Sequence, residues 1–202
     1  MAYCKSISGI VVVAALSLAG VAQADGAAIG EKHCAACHGS DGNSRYAAVP
    51  NIAGLSAEYL YDELRDFAKG ERHGERFKPE NGEERDMNEI SKALSREEMQ
   101  RVAEYYSRQT FKPRQQQFDP SLAKLGKKVY RKRCERCHED NGREFDEDMG
   151  RLAGQPKQYL EKALRDFLQK KRRPPKKMAK QLRKLKENEI PALVHFFAAQ
   201  QD

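Results

Sequence analysis

Cys34-Ala35-Ala36-Cys37-His38 decides the reading of this chain, because the pattern returns one hundred residues later as Cys134-Glu135-Arg136-Cys137-His138. Each copy offers two thiols spaced to form thioethers with the vinyl groups of a porphyrin, followed at once by an imidazole able to reach its iron. The pair therefore reads as two covalent c-type haem attachment sites, at Cys34 and Cys37 and at Cys134 and Cys137, with His38 and His138 on the metals. A single Cys-X-X-Cys is also what a redox dithiol or half of a zinc site presents. Two copies in matching contexts, both followed by His, argue for thioethers.

The repeat extends well beyond the motifs. At the same offset Asn51-Ile52-Ala53-Gly54 faces Arg151-Leu152-Ala153-Gly154, Tyr59-Leu60 faces Tyr159-Leu160, and Leu64-Arg65-Asp66-Phe67 faces Leu164-Arg165-Asp166-Phe167. A fixed register over this length implies duplication, in two units rather than the three or more of a solenoid. Lys5 precedes the apolar run of residues 10–19, which closes on Ala22-Gln23-Ala24. That is an export signal with a small-X-small cleavage site. Residues 1–24 are expected to be removed, leaving 178 of 202 residues in the periplasm. The run is shorter than the ~20 residues of a membrane helix, so no anchor is expected. Cys4 goes with the signal, leaving four cysteines.

Two prolines and a polar tract in residues 110–120 interrupt helical periodicity and read as a linker. The boundary is placed there, giving domains of residues 25–112 and 113–202. Each is small and poor in large apolar residues, so a buried haem is expected to complete its core. Elsewhere the pattern is helical. Ser95 with Glu98 forms a capping box ahead of Met99, Val102, Ala103 and Tyr106, and Ser56 fronts Tyr59, Leu60, Leu64 and Phe67. No alternating run is long enough for a strand. The expected order in each half is helix, haem motif, loop, helix, long loop, helix.

The second iron ligand is sought in the long loop. From Met87 to Met178 the offset is ninety-one, and it aligns Leu94 with Leu185, Met99 with Ile190, Val102 with Leu193, and Tyr105-Tyr106 with Phe196-Phe197. Both methionines thus hold one place relative to the last helix, and the first half carries nine extra residues before it. Thioether opposite imidazole raises the reduction potential, which suits an acceptor of electrons. A gap-filling core methionine is the competing role. Met149 would break the symmetry; His73 lies in the polar inserted loop, His195 on the last helix, and His33 on the wrong side of Cys34.

These residues resemble the class I c-type cytochromes in their two-domain dihaem form. The resemblance implies an all-α protein of two tandem cytochrome c domains related by a pseudo-twofold axis, with two haem c groups on Cys34, Cys37, Cys134 and Cys137, proximal His38 and His138, and distal Met87 and Met178. It also implies that the carbonyl of Pro50 orients the proximal imidazole, a place taken by Gly150 in the second half. Gln109-Thr110-Phe111 through Phe118-Asp119, Leu152-Ala153-Gly154-Gln155, and Arg172-Arg173-Pro174 leading to Lys176-Lys177-Met178-Ala179 are similar to the haem subunits of flavocytochrome c sulfide dehydrogenases. That narrower likeness implies an FAD-containing sulfide dehydrogenase subunit as donor and a soluble acceptor such as a small cytochrome.

Charge divides unevenly. Residues 25–112 carry 13 Lys+Arg against 17 Asp+Glu, a balance of −4, and residues 113–202 carry 23 against 13, a balance of +10. Lys170-Lys171-Arg172-Arg173 and Lys176-Lys177 crowd the second methionine and would steer an acidic partner. Export and the lack of an aromatic-interleaved basic platform exclude nucleic acid as a partner. No nucleophile, base and orienter can be assembled, so no catalysis by this chain alone is expected. Two functions remain: an electron-transfer subunit of a sulfide-oxidising flavoprotein complex, or a free dihaem carrier feeding a terminal oxidase. A peroxidase would need an open iron site, against which two methionines in register speak.

Overall fold

The structure, a computed structural model, describes residues 18–144 and 149–202, with side chains from residue 25 onward. Lys5 and most of the signal's apolar run lie outside the described residues. The first half comprises α1 (Leu18–His33), α2 (Ala35–His38), α3 (Ala57–Lys69), α4 (Met87–Lys92) and α5 (Arg96–Ser107). The second comprises α6 (Pro120–Arg133), a 3-10 turn at Asp140–Gly142, α7 (Lys157–Leu168), α8 (Lys176–Leu182) and α9 (Glu189–Ala198). The order departs from expectation in one respect: each long loop contains a short helix, α4 or α8. Asp86 caps α4 through the Glu89 N–H, which fixes its start.

Local chemistry accounts for the other boundaries. The Ser56 hydroxyl accepts the Tyr59 N–H, and Ser95 and Glu98 close a reciprocal capping box. Asp119 caps α6, with Pro120 in its first turn. Among the described residues the only strand-like feature is an isolated antiparallel bridge, Phe77 with Arg85, inside the nine-residue insertion.

In each half the first and last helices cross closely, α1 on α5 and α6 on α9. Glycine makes both crossings possible. A Cβ on Gly26 would lie 2.5 Å from the Arg101 carbonyl oxygen, and one on Gly126 would lie 1.9 Å from that of Ala192. Those glycines are one hundred residues apart and the carbonyls ninety-one, the two offsets read from the sequence. Around the crossings sit two separate cores: Leu55, Leu60, Val102, Ala103 and Tyr106, and Val129, Leu160, Leu193, Val194 and Phe197. Each fully buried side chain of this size stabilises by roughly 1.5–3 kcal/mol.

Residues 109–119 form an ordered strap rather than a loose tether. The Asn43 side chain donates to the Thr110 carbonyl and accepts from the Lys112 N–H, Arg114 donates from its backbone to Gly154 and from its guanidinium to Ser44 and Arg45, and Gln116 donates to the Gln155 carbonyl. Beneath it, Gln155 accepts the Asn51 N–H at 2.9 Å and donates to the Asn51 carbonyl at 2.8 Å. Both residues are 2% exposed, so the pair joins the halves away from water.

Candidate haem sites

The first motif is built into a turn. α1 ends at His33, Cys34 leads into α2, and the N–H groups of Cys37 and His38 both return to the Cys34 carbonyl. Both thiols and the imidazole therefore belong to one turn of backbone. Cys34 and His38 are buried, and Cys37 is half-buried. Burial pushes the Cys34 and Cys134 thiols up to about 12 and also raises Cys37. Redox dithiols and zinc sites work through acidic, stabilised thiolates. Here burial disfavours the thiolate, and the described residues contain no cluster of three or more His, Cys, Asp or Glu able to hold an ion.

His38 Nδ1 lies 3.0 Å from the Pro50 carbonyl oxygen, so it donates there and leaves Nε2 free. Burial, with the positive charge of Arg72 as a smaller contribution, lowers the imidazole's basicity, while the Pro50 bond opposes it. The ring is held neutral and oriented, the form in which imidazole ligates iron. These residues fit a covalent haem: it would be tethered at both thiols, with Nε2 presented to its iron.

The second motif repeats the backbone pattern, with the Cys137 and His138 N–H groups returning to the Cys134 carbonyl. Its surroundings differ. Glu135, Arg136 and Cys137 are exposed. In the first half the insertion lies against the motif: a Cβ on Gly82 would sit 3.7 Å from the Ala36 Cβ, Phe77 packs edge-on against Tyr46, and the Glu80 N–H donates to the Tyr46 hydroxyl. Gly150, in the place of Pro50, also gains a reason. A Cβ there would come within 2.7 Å of the Tyr59 hydroxyl, which reaches across from the first half.

Met87 opens α4 and Met178 lies in the first turn of α8; both are half-buried. Gly74 lies against Met87, a Cβ there falling 2.8 Å from the Met87 nitrogen. Met149 is half-buried beside residues 145–148, which lie outside the described residues. His73 is exposed, and His195 Nδ1 accepts the Asp119 N–H at 2.7 Å, a structural role. The basic run around Met178 divides: Lys170, Lys171, Arg173, Lys176 and Lys177 are exposed, while Arg172 turns inward to the carboxylate of Glu63. Glu63, Asn51 and Gln155 were not singled out as functional by sequence reasoning. The signal that finds them is departure from the repeat, since their counterparts are Ala163, Arg151 and Leu55.

A helical tandem duplication with a Cys-X-X-Cys-His turn in each half defines a class of haem-bearing electron-transfer proteins. The cytochrome c family model matches residues 23–108 and 123–200, and the chain belongs to that family. It is 34% identical over 168 residues to cytochrome c4 of Azotobacter vinelandii, covering 75% of this chain and 77% of that protein. The crystal structure of reduced cytochrome c4 from Pseudomonas stutzeri superposes with a TM-score of 0.71 at 29% identity, covering 89% of this chain and 98% of that one. A shorter match, 37% identity over 73 residues, covers 36% of this chain and 56% of the cytochrome subunit of sulfide dehydrogenase from Chlorobaculum tepidum. The chain is thus a dihaem-type cytochrome that carries electrons.

Proposed function

We propose that the chain, exported and cleaved after Ala24, binds two covalent haem c groups and relays electrons between soluble partners in the periplasm, with domains at residues 25–112 and 113–202. Cys34, Cys37, Cys134 and Cys137 are the attachment points, His38 and His138 the proximal ligands, and Met87 and Met178 the distal ones. The observation that carries this reading is the His38 imidazole, buried, tied to the Pro50 carbonyl and set in one turn with both thiols. Mass spectrometry of the secreted protein tests it: two porphyrin additions are expected, and bare or disulfide-linked thiols overturn it. Met178→Ala is expected to change the spectrum and potential of one haem only, and an unchanged spectrum assigns the ligand elsewhere.

The proposed donor is an FAD-containing sulfide dehydrogenase subunit, a reading supported by the single-domain likeness to the Chlorobaculum tepidum cytochrome subunit. A small soluble cytochrome is the proposed acceptor. A second reading, a free carrier feeding a terminal oxidase, is favoured by the likeness to cytochrome c4 over both halves. Surface character points to transient contacts in either case: Phe118 and Leu125 are the exposed large apolar residues among those described, against the broad apolar patch of a permanent interface. Purification from the native host separates the readings. A copurifying flavin bleached by sulfide, with both haems reduced, supports the flavoprotein donor; isolation free of flavin supports the free carrier.

A further inference from the structure

Where the two halves meet, one carboxylate serves two arginines. Glu63 of α3 accepts the Arg72 guanidinium on Oε2 and the Arg172 guanidinium on Oε1. All three side chains are 15% exposed. The arginines stand one hundred residues apart and are held alike. Their N–H groups donate to the carbonyls of Asp66 at 3.2 Å and Asp166 at 3.1 Å, and their guanidinium groups lie over Phe67 at 4.5 Å and Phe167 at 4.6 Å. The duplication stops at the carboxylate, because Ala163 occupies the place equivalent to Glu63. Two positive charges thus face one negative charge in a region largely closed to water. Lys162, bound to Asp166 and near Glu75, is the neighbouring charged group on α7.

An excess positive charge in low dielectric favours any nearby process that adds negative charge. Reduction of Fe(III) to Fe(II) is such a process, since it adds one electron and no proton. The cluster touches structure belonging to both sites. Asn88, next to Met87, donates to the Arg72 carbonyl at 2.7 Å, and Tyr59, one turn from Glu63 on α3, packs on Gly150 of the second half. Burial works against the ionised form of Glu63, but Arg72 and Arg172 together outweigh it and hold its carboxyl below the ordinary range.

We propose that Glu63, clasped by Arg72 and Arg172 across the domain interface, is a positioning residue shared by both redox sites, which fixes the halves against each other and sets the two reduction potentials together. The proposal rests on the dihaem reading above. It makes Glu63 a common control, unlike Met87 or Met178, each of which acts within its own half.

The test uses the full, haem-loaded chain in a spectroelectrochemical titration, with haem content measured first from the pyridine adduct. Glu63→Gln keeps the shape and removes the charge; both potentials are expected to rise, each site's reduction constant increasing several-fold. Glu63→Asp restores both toward wild type, and Glu97→Gln, on the exposed face of α5, moves neither. Ala163→Glu supplies the missing carboxylate and is expected to lower both potentials, which decides the matter if Glu63→Gln does not load haem. Unmoved potentials, or a shift confined to one haem, in a fully loaded variant overturn the proposal. A chain holding fewer than two haems overturns the dihaem reading instead.

Discussion

The first half closes over its Cys-X-X-Cys-His turn and the second leaves its own open, although the two descend from one repeat. In the first half the nine-residue insertion reaches Ala36 and Tyr46, Pro50 holds the imidazole, and the local charge is negative. In the second half the insertion is missing, Gly150 makes room for a tyrosine from the other half, and the charge is strongly positive. The same backbone therefore presents one sheltered and one accessible site. An accessible site in a half rich in exposed lysines is suited to brief, charge-steered encounters.

The hydroxyl group that anchors each motif has also changed helices. In the first half Tyr106 of α5 donates to the Gly39 carbonyl at 3.4 Å, and Gly30 of α1 leaves room for its ring. In the second half Tyr130 of α6, equivalent to Gly30, donates to the His138 carbonyl at 2.5 Å, and Phe197 replaces the tyrosine on the last helix. Ring volume and hydroxyl are conserved in total while their origin is exchanged, as close packing requires.

Four measurements press on this comparison. The largest effect is expected at the crossings. Gly126→Ala drives a methyl into the Ala192 carbonyl and should cost about 3 kcal/mol or more, whereas Gly26→Ala should cost about 1–2 kcal/mol. Thermal unfolding of each variant measures the difference, and equal losses would show the crossings equally tight. Next, Gly150→Ala is expected to force Tyr59 aside at a cost of about 1–2 kcal/mol and to perturb the second haem's spectrum alone. Tyr130→Phe and Tyr106→Phe should each lose about 1 kcal/mol, with the larger loss at Tyr130, where the bond is shorter. The smallest effect concerns pH. His195 must stay neutral to accept the Asp119 N–H, and burial first, then Lys157, lowers its pKa. Stability from this contact is present above the ordinary value of 6.5 and is lost as the pH falls below it. His195→Gln should flatten that slope in unfolding experiments.

The legible parts of the molecule were those carried by local chemistry. Ser56, Ser95 and Glu98 begin helices wherever such residues precede amphipathic segments, so α3 and α5 could be read directly. Register singles out Met87 and Met178 as proposed ligands, but the six- and seven-residue helices containing them carry too little periodicity to be legible. Residues 109–119 read as a linker on composition, but their hydrogen bonds to Asn43, Ser44, Gly154 and Gln155 come from distant segments.

The sequence by itself determined the number of units and their helical class, since register between copies and helical periodicity are properties of the chain, and its spacing of thiols and imidazole within a turn carries the proposed haem attachment. Tertiary structure decided how the copies became different. Glu63 with its two arginines, the Asn51–Gln155 pair, and Tyr59 against Gly150 all lie where one half buries the other. At a contact between two copies of one unit, a single residue must complement its neighbour rather than repeat it, so the changes that build the interface interrupt the repeat, and their partners are known only when the chain has folded.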